Sequence, residues 1–339
     1  MKKISFLTIL CLSLIGFGIG TIATGPRANA QAAQNANGQA LEIAPPVVNV
    51  SANPGETVSA QLSLRDISDG SLVVNNQIND FVASGEDGTP KILLDETEPN
   101  PFSLKNWIEP LPQLTLKSRE IQKLPVTIDV PSNAAPGGYY GVVRFTATAP
   151  EMDQQGVALS ASLGALVLLT VKGDVKEAMS VEQFSVTDTK GKVGNLFEST
   201  PIQFEERLKN SGNIHEEPHG QVVITDMFGK TVAAVNVNLP PRNVLPRSIR
   251  KFTQTLDSSV IGNKKLFGLY HAKLALAYGA KGQTLQSETT FWIIPYRLIG
   301  GAILAIVIGF FVLRVMIRRY NQSIIRKAQG GSKTKKKRK

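Results

Sequence analysis

Cysteine is nearly missing from this chain. The single one, Cys11, lies in an N-terminal apolar stretch that reads as a removable signal, so a mature protein would hold none. That excludes disulfide frameworks and thiolate metal sites, and leaves stability to packed apolar cores. Histidine is almost as scarce, with three among 339 residues, and no glycine-rich phosphate loop follows a strand and opens a helix. A nucleophile–base pair is hard to assemble from such a stock, although a Ser–Lys dyad needs no histidine. Long helical periodicity is also absent, apart from one apolar run near the C-terminus.

Acids are missing from both ends. Lys2, Lys3 and Arg27 stand unopposed in the first thirty residues, as do eleven Lys and Arg from Arg314 to Lys339. The net charge of +10 therefore belongs to the termini, and residues 31–297 carry a net charge of −4. Nucleic-acid binding by the folded part is not expected, because its electrostatic footprint is absent.

The N-terminus has the layout of a secretory signal: Lys2 and Lys3, an apolar stretch from Ile4 to Ile22, then Ala28-Asn29-Ala30 before Gln31. Small residues at Ala28 and Ala30 suit signal peptidase, so cleavage is expected after Ala30, the alternative being an uncleaved anchor. Leu10 before Cys11 does not suit a lipoprotein site. Near the other end, Leu298–Ile317 is apolar except for Arg314. A helix of that length spans roughly 30 Å, the thickness of a bilayer core. Arg314 sits near its end, where a long side chain snorkels to the head groups. Trp292 and Tyr296 precede the segment, and Arg318, Arg319, Arg326 and Lys327 follow it. Positive residues stay inside, so the chain is expected to be a single-pass protein of the cell membrane, with residues 31–297 extracellular and a basic cytoplasmic tail at 318–339. That tail ends in Ser332-Lys333-Thr334-Lys335-Lys336-Lys337-Arg338-Lys339. It would attract anionic lipid head groups, with a cytoplasmic partner or nucleic acid as the other reading. No Leu-Pro-x-Thr-Gly precedes the helix, so transfer to the wall by a sortase is not expected.

Between the ends, after a flexible leader at 31–40, period-two alternation dominates, the mark of strands with one buried face. Val58, Ala60, Leu62 and Leu64 share a phase, as do Leu124, Val126, Ile128 and Val130. Tyr139, Val143 and Phe145 are in phase after Gly137-Gly138, and Leu159–Val171 reads as a central core strand. In the second half, Ile202, Phe204 and Leu208 form one face, as do Tyr270, Ala272, Leu274, Leu276 and Tyr278. Met227-Phe228-Gly229-Lys230 reads as a hairpin turn. A weak repeat adds to this: Ser118 and Ser248 each precede a strand, and Tyr139 and Tyr270 open the next one 21 and 22 residues on. The expected fold is all-β: two tandem immunoglobulin-like β-sandwiches at 41–175 and 176–292, plus one C-terminal transmembrane helix at 298–317.

Few residues invite chemistry. His215-Glu216-Glu217-Pro218-His219 has the letters of a zinc-protease helix, but Pro218 cannot continue a helix and Asn210-Ser211-Gly212-Asn213 before it is turn composition. A solvated inter-strand loop is expected there, and His271 is expected to face solvent. Asp80, Glu86, Asp87, Asp95, Glu96 and Glu98 cluster between Ile78 and Leu111 without the spacing of a calcium loop, so solvated loops are expected. Trp107 in that region is a weak ligand-binding candidate, packing into the loops being the alternative. No catalytic, cofactor or metal residue is assigned.

The string Ala52-Asn53-Pro54-Gly55-Glu56-Thr57, Trp107-Ile108, the Leu116-to-Val130 strand and Pro131-Ser132-Asn133-Ala134-Ala135-Pro136-Gly137-Gly138-Tyr139-Tyr140-Gly141 resembles the first domain of the WxL-interacting cell-surface proteins of Gram-positive bacteria. Asn210-Ser211-Gly212-Asn213 with Gly220 and Gly229 is similar to their membrane-proximal domain. The resemblance implies a signal peptide, two immunoglobulin-like domains, a membrane helix, and contact with peptidoglycan or a WxL-type surface protein. The expected function is thus non-enzymatic: a membrane-anchored envelope protein binding a cell-wall polymer or another surface protein. An envelope assembly factor that holds subunits at a strand edge is the alternative, and an envelope hydrolase the remote one.

Overall fold

A computed structural model describes residues 41–94, 100–148, 162–262 and 264–332, with side chains to Ile325. The signal stretch, the leader, Asp95, Glu96, Glu98, the start of the Leu159–Val171 run and the tail from Lys333 lie outside the described residues.

The first half folds as strands β1 (Leu41–Ala44), β2 (Val47–Ala52), β3 (Thr57–Asp66), β4 (Leu72–Ser84), β5 (Thr89–Leu93), β6 (Leu114–Leu116), β7 (Ile121–Asp129), β8 (Gly137–Thr148) and β9 (Ser162–Val171). One sheet has the order β1-β3-β7; the other has the order β2-β9-β8-β4-β5, with β6 paired to β4. Pro125 sits inside β7, an edge strand of its sheet, where the missing amide is tolerated. Alternation works as the sequence suggests: Leu62, Leu64, Leu124, Val126 and Ile128 from one sheet meet Val143, Phe145, Val167 and Leu169 from the other in one core. Fully burying a side chain such as Phe145 contributes about 1.5–3 kcal/mol.

The second half comprises β10 (Met179–Thr187), β11 (Leu196–Phe197), β12 (Ile202–Asn210), β13 (His219–Asp226), β14 (Thr231–Val237), β15 (Ser248–Leu256), the short helix α1 (Ser258–Ile261), β16 (Gly268–Tyr278) and β17 (Gln283–Ile293). Sheet β10-β12-β15 faces sheet β11-β17-β16-β13-β14. Ile202, Phe204 and Leu208 meet Tyr270, Ala272, Leu274, Leu276 and Phe291 in a second core. Glu206 lies on the same face of β12 and is fully buried. Met227–Lys230 forms the β13–β14 turn, with Gly229 supplying a φ of +80°.

Helix α2 (Tyr296–Ser332) follows β17 after Ile294 and Pro295. Its apolar part runs from Tyr296 to Ile325 and is long enough to cross a membrane, and its most apolar window buries no residue inside the protein. The all-β architecture with one C-terminal apolar helix thus matches the sequence reading. The backbone stays helical beyond Ile317, through Arg318 and Arg319 to Ser332. Arg, Gln, Ile, Lys and Ala, which make up most of 318–329, are good or fair helix formers.

The region between Ile78 and Leu111 also differs from the loops expected there. It contains the long strand β4, the β4–β5 hairpin and a 3-10 turn at Lys105–Trp107. Asp80 lies within β4, 5% exposed, where its Oδ1 accepts the Leu104 and Lys105 amides at 3.0 Å each. Alternation fails in β4 because both of its faces are covered: Val74 joins the inner core and Phe81 an outer cluster.

Candidate binding cleft

The outer face of sheet β2-β9-β8-β4-β5 is apolar as well as the inner one. Phe81, Tyr140, Val142 and Leu168 are buried there, joined by Ile92, Phe102 and Leu166, and Leu245 of the second sandwich packs on them. A sheet face left to water would alternate to polar residues; this one does not, because the second sandwich is seated on part of it.

The joint is built from short polar contacts. Asn213, in the β12–β13 loop, donates from its Nδ2 to the Pro136 carbonyl at 2.9 Å and accepts the Lys176 amide at 2.7 Å on Oδ1. Its own carbonyl accepts the Gly138 amide at 2.8 Å. A Cβ on Gly138 would stand 2.1 Å from the Tyr140 hydroxyl oxygen, so only glycine allows this approach. The β4–β5 hairpin reaches across the joint. Glu86 accepts Arg207 Nε at 2.7 Å and a second guanidinium nitrogen besides, and its carbonyl accepts the Lys251 amide at 2.6 Å. The Arg207 hydrogen bonds hold the Glu86 carboxyl below the usual carboxylate range.

His215 and Glu216 depart from the solvated loop expected of them. The His215 ring meets Tyr140 edge-on, with centroids 5.7 Å apart and Nδ1 3.4 Å from the hydroxyl. Burial pulls the imidazole down to about 4 and pushes the Tyr140 phenol up, so both are neutral at neutral pH. Glu216 is 4% exposed; burial and the neighbouring Glu177 carboxylate raise it to about 7. The run is extended, with Glu216 bridged to Val244, and His219 opens β13 exposed, so the two histidines of the zinc-protease letters serve different surroundings. The cause is tertiary: His215 is covered by Tyr140 of the first sandwich, while Glu216 is enclosed against Val244 with Glu177 nearby. His271 is half-exposed on β16, its Nδ1 3.4 Å from Glu288.

Where the sandwiches diverge from the joint, they leave a cleft of about 460 Å³. Val47, Phe81, Leu166 and Leu168 floor it from three strands, β2, β4 and β9, while Arg242, Arg250 and Glu217 supply its charges. Arg250 is positioned by the Asn243 carbonyl, which accepts from Nη1 at 2.7 Å, and lies over the Phe252 ring at 5.8 Å. Burial and Arg242 lower its pKa. Gly88, at a φ of +81°, faces this guanidinium, and a Cβ there would stand 2.2 Å from Arg250 Cζ. The one hydroxyl of the lining, Ser248 Oγ, donates to the Leu245 carbonyl at 2.7 Å. The arrangement is that of a recognition groove: apolar area for contact, with charged groups at its wall to orient a ligand.

Trp107 does not line the cleft. Its ring meets that of Tyr139 at a tilt of 42°, with centroids 4.2 Å apart, packed on the inner core, whereas the neighbouring Tyr140 faces the joint. Asp87 caps its own turn through the Thr89 amide at 3.0 Å. The cleft itself was not read from the sequence. Its one local signal is the nearly unbroken apolar run ending at Val171, which a strand covered on a single face would not carry.

No protein-family model matches this chain, and no curated protein does. Among solved structures it is similar to the YadV chaperone at 10% identity and a TM-score of 0.34, over 74% of this chain and 99% of that one. It is similar to the class 5 fimbriae chaperone CfaA at 11% identity and a TM-score of 0.35, over 74% and 99%. A protein of unknown function from Porphyromonas gingivalis W83 matches at 13% identity and a TM-score of 0.29, over 75% and 99%.

Proposed function

We propose that this chain is a non-catalytic, membrane-tethered binding protein of a bacterial cell envelope. Its sandwiches stand outside the membrane on α2, and the cleft between them takes a cell-wall polymer or a segment of another surface protein. The observation that carries this reading is the cleft: an apolar floor of Val47, Phe81, Leu166 and Leu168 beside Arg242 and Arg250, held open by a hydrogen-bonded joint. Support for the tether comes from the apolar length of Tyr296–Ile325 and the unburied surface of its most apolar window, with Arg318 and Arg319 after its core. The resemblance to WxL-interacting proteins agrees, and makes peptidoglycan or a WxL-type protein the first ligands to try.

The test is a photo-cross-linking residue in place of Ala83, on the cleft wall, in the full chain expressed in its membrane. A discrete adduct is expected, and its mass and enzymatic digestibility would tell polymer from protein. Absence of any adduct, together with failure of the full chain to sediment with cell-wall material, sinks the reading.

A second reading is favoured by one observation. Val47 and Asn49 of β2 line the cleft, and β2 is an edge strand whose far side pairs with no strand among the described residues. An assembly factor would use such an edge to hold an extended segment of a client. Short-lived adducts with many exported chains would favour it over one stoichiometric partner.

A further inference from the structure

The end of the second sandwich next to α2 carries exposed apolar loop tips ringed by lysine. Strand register brings these loops together. Asp226 pairs with Tyr270, and Gly268 pairs with Ile293, the last residue of β17. Thr187 pairs with Gln203, Ile202 with Leu256, and Leu196 with Trp292. The β10–β11, β13–β14 and β15–β16 connections therefore all emerge where β17 hands over to the helix.

Two of these loops are the same device. Asp226 Oδ1 accepts the Phe228 and Lys230 amides at 2.9 and 3.0 Å, and Asp188 Oδ1 accepts the Lys190 and Lys192 amides at 2.8 and 3.0 Å. Gly229 and Gly191 both turn the chain at a φ of +80°. The third, Asp257, caps α1 through the Ser259 amide at 2.8 Å. Each aspartate is thus turned back onto its own loop, and Glu198 is paired with Arg297 at 3.2 Å. The large and the charged side chains exposed there are apolar or cationic, with small polar ones such as Ser258 and Ser259 between them. Phe228 is 87% exposed and Phe267 65%, with Met227 and Trp292 also exposed. Lys190, Lys192, Lys230, Lys264 and Lys265 are exposed around them. The Met227 methyl lies so close to Gly268 that a Cβ there would meet it at 2.8 Å, which ties the Phe228 turn to the Phe267 loop. Water disfavours such a patch, while the head-group layer of a bilayer suits aromatic rings beside lysine.

The helix fixes how near that layer is. Ile294 N donates to the Phe197 carbonyl at 2.8 Å, so the chain is clasped to the sandwich until one residue before Pro295. From Ile293 to Tyr296 the backbone reaches no more than about 11 Å. We infer that the Phe228 and Phe267 loops rest in the head-group layer of the leaflet that α2 enters, a second, non-covalent bilayer contact that orients the sandwiches. This rests on α2 spanning a membrane.

The test uses the full chain, with Cys11→Ser as background, in nanodiscs of phosphatidylcholine and phosphatidylglycerol. Phe228→Cys and Phe267→Cys carry an environment-sensitive fluorophore; Ile306→Cys reports the helix and Ile67→Cys the far end of the first sandwich. The expected result is quenching of positions 228 and 267 by shallow doxyl lipid, comparable with quenching of position 306 by deep doxyl lipid, while position 67 is quenched only by aqueous iodide. Position 306 quenched by lipid with 228 and 267 open to iodide overturns the inference and leaves the tether intact. If lipid fails to quench position 306, the membrane reading falls and the inference with it.

Discussion

Arg207, in the middle strand of one sheet of the second sandwich, grips Glu86, the tip of a hairpin that belongs to the first. The fork of two hydrogen bonds is backed by the Lys251 amide on the Glu86 carbonyl, so the hairpin is held by side chain and backbone together. Both side chains keep about a third of their surface exposed, with values of 30% and 35%. The pair is therefore screened, and its work is to fix orientation rather than to supply most of the stability.

Glu86→Gln and Arg207→Gln are each expected to lower the melting midpoint of the full chain in detergent by a few degrees. The double variant should lose little more than either single one. Limited proteolysis of the 172–178 linker should quicken in all three. A double-mutant cycle with fully additive losses would show that the pair is not coupled.

Gly88→Ala is expected to act at the same joint by a different route. Its φ of +81° strains any other residue, and the new methyl collides with the Arg250 guanidinium. The backbone contribution alone is about 1–3 kcal/mol. Arg250→Ala in the same chain should relieve the collision but not the strain. Denaturant midpoints of the two variants and their combination separate these parts.

Glu206 supplies a pH signature. Burial raises its folded pKa from 4.5 to about 9, so the folded state holds a proton that the unfolded state releases. The stability this proton contributes is fully present below pH 4.5 and is lost as pH rises through about 9. Glu206→Gln removes the titration. Its stability relative to the wild type should rise with pH across that window, by at most about 1.4 kcal/mol per unit. Melting curves between about pH 5 and about pH 9 measure the divergence; parallel curves would show that Glu206 ionises normally.

Ala83→Trp should fill the cleft from its wall without touching either core. Ligand capture is expected to fall at least tenfold while the melting midpoint stays within a few degrees of the wild type. Retained capture would move the binding surface elsewhere on the sandwiches.

Much of the architecture is legible as alternation. Leu62 and Leu64, Leu124 to Ile128, and Tyr270 to Tyr278 are each buried on the face their phase implies, because one side of those strands meets a core and the other meets water. Strand β4 and the His215–Glu216 run were misread for one reason. Their surroundings come from residues distant in sequence: Asp80 is covered by the Leu104–Lys105 turn of its own sandwich, Phe81 by a cluster that Leu245 of the second sandwich joins, and a histidine among acids and a proline packs against Tyr140 of the first. Tyr140 itself, beside Tyr139, carried the joint in its side chain without any periodic signal. Trp107 stands out in the sequence by its place among the loops expected there, and its half-buried ring packs against Tyr139.

Only Ile294 and Pro295 separate β17 from α2, and β17 is eleven residues long. At a strand's rise, that length carries the chain about 36 Å from the root of the helix to the turn beside the joint. If α2 crosses a bilayer as proposed, the second sandwich is a fixed-height pedestal that holds the groove in one thin layer above the membrane. The height of that layer follows from the length of one hairpin, so inserting residue pairs into β16 and β17 would raise it without altering the groove.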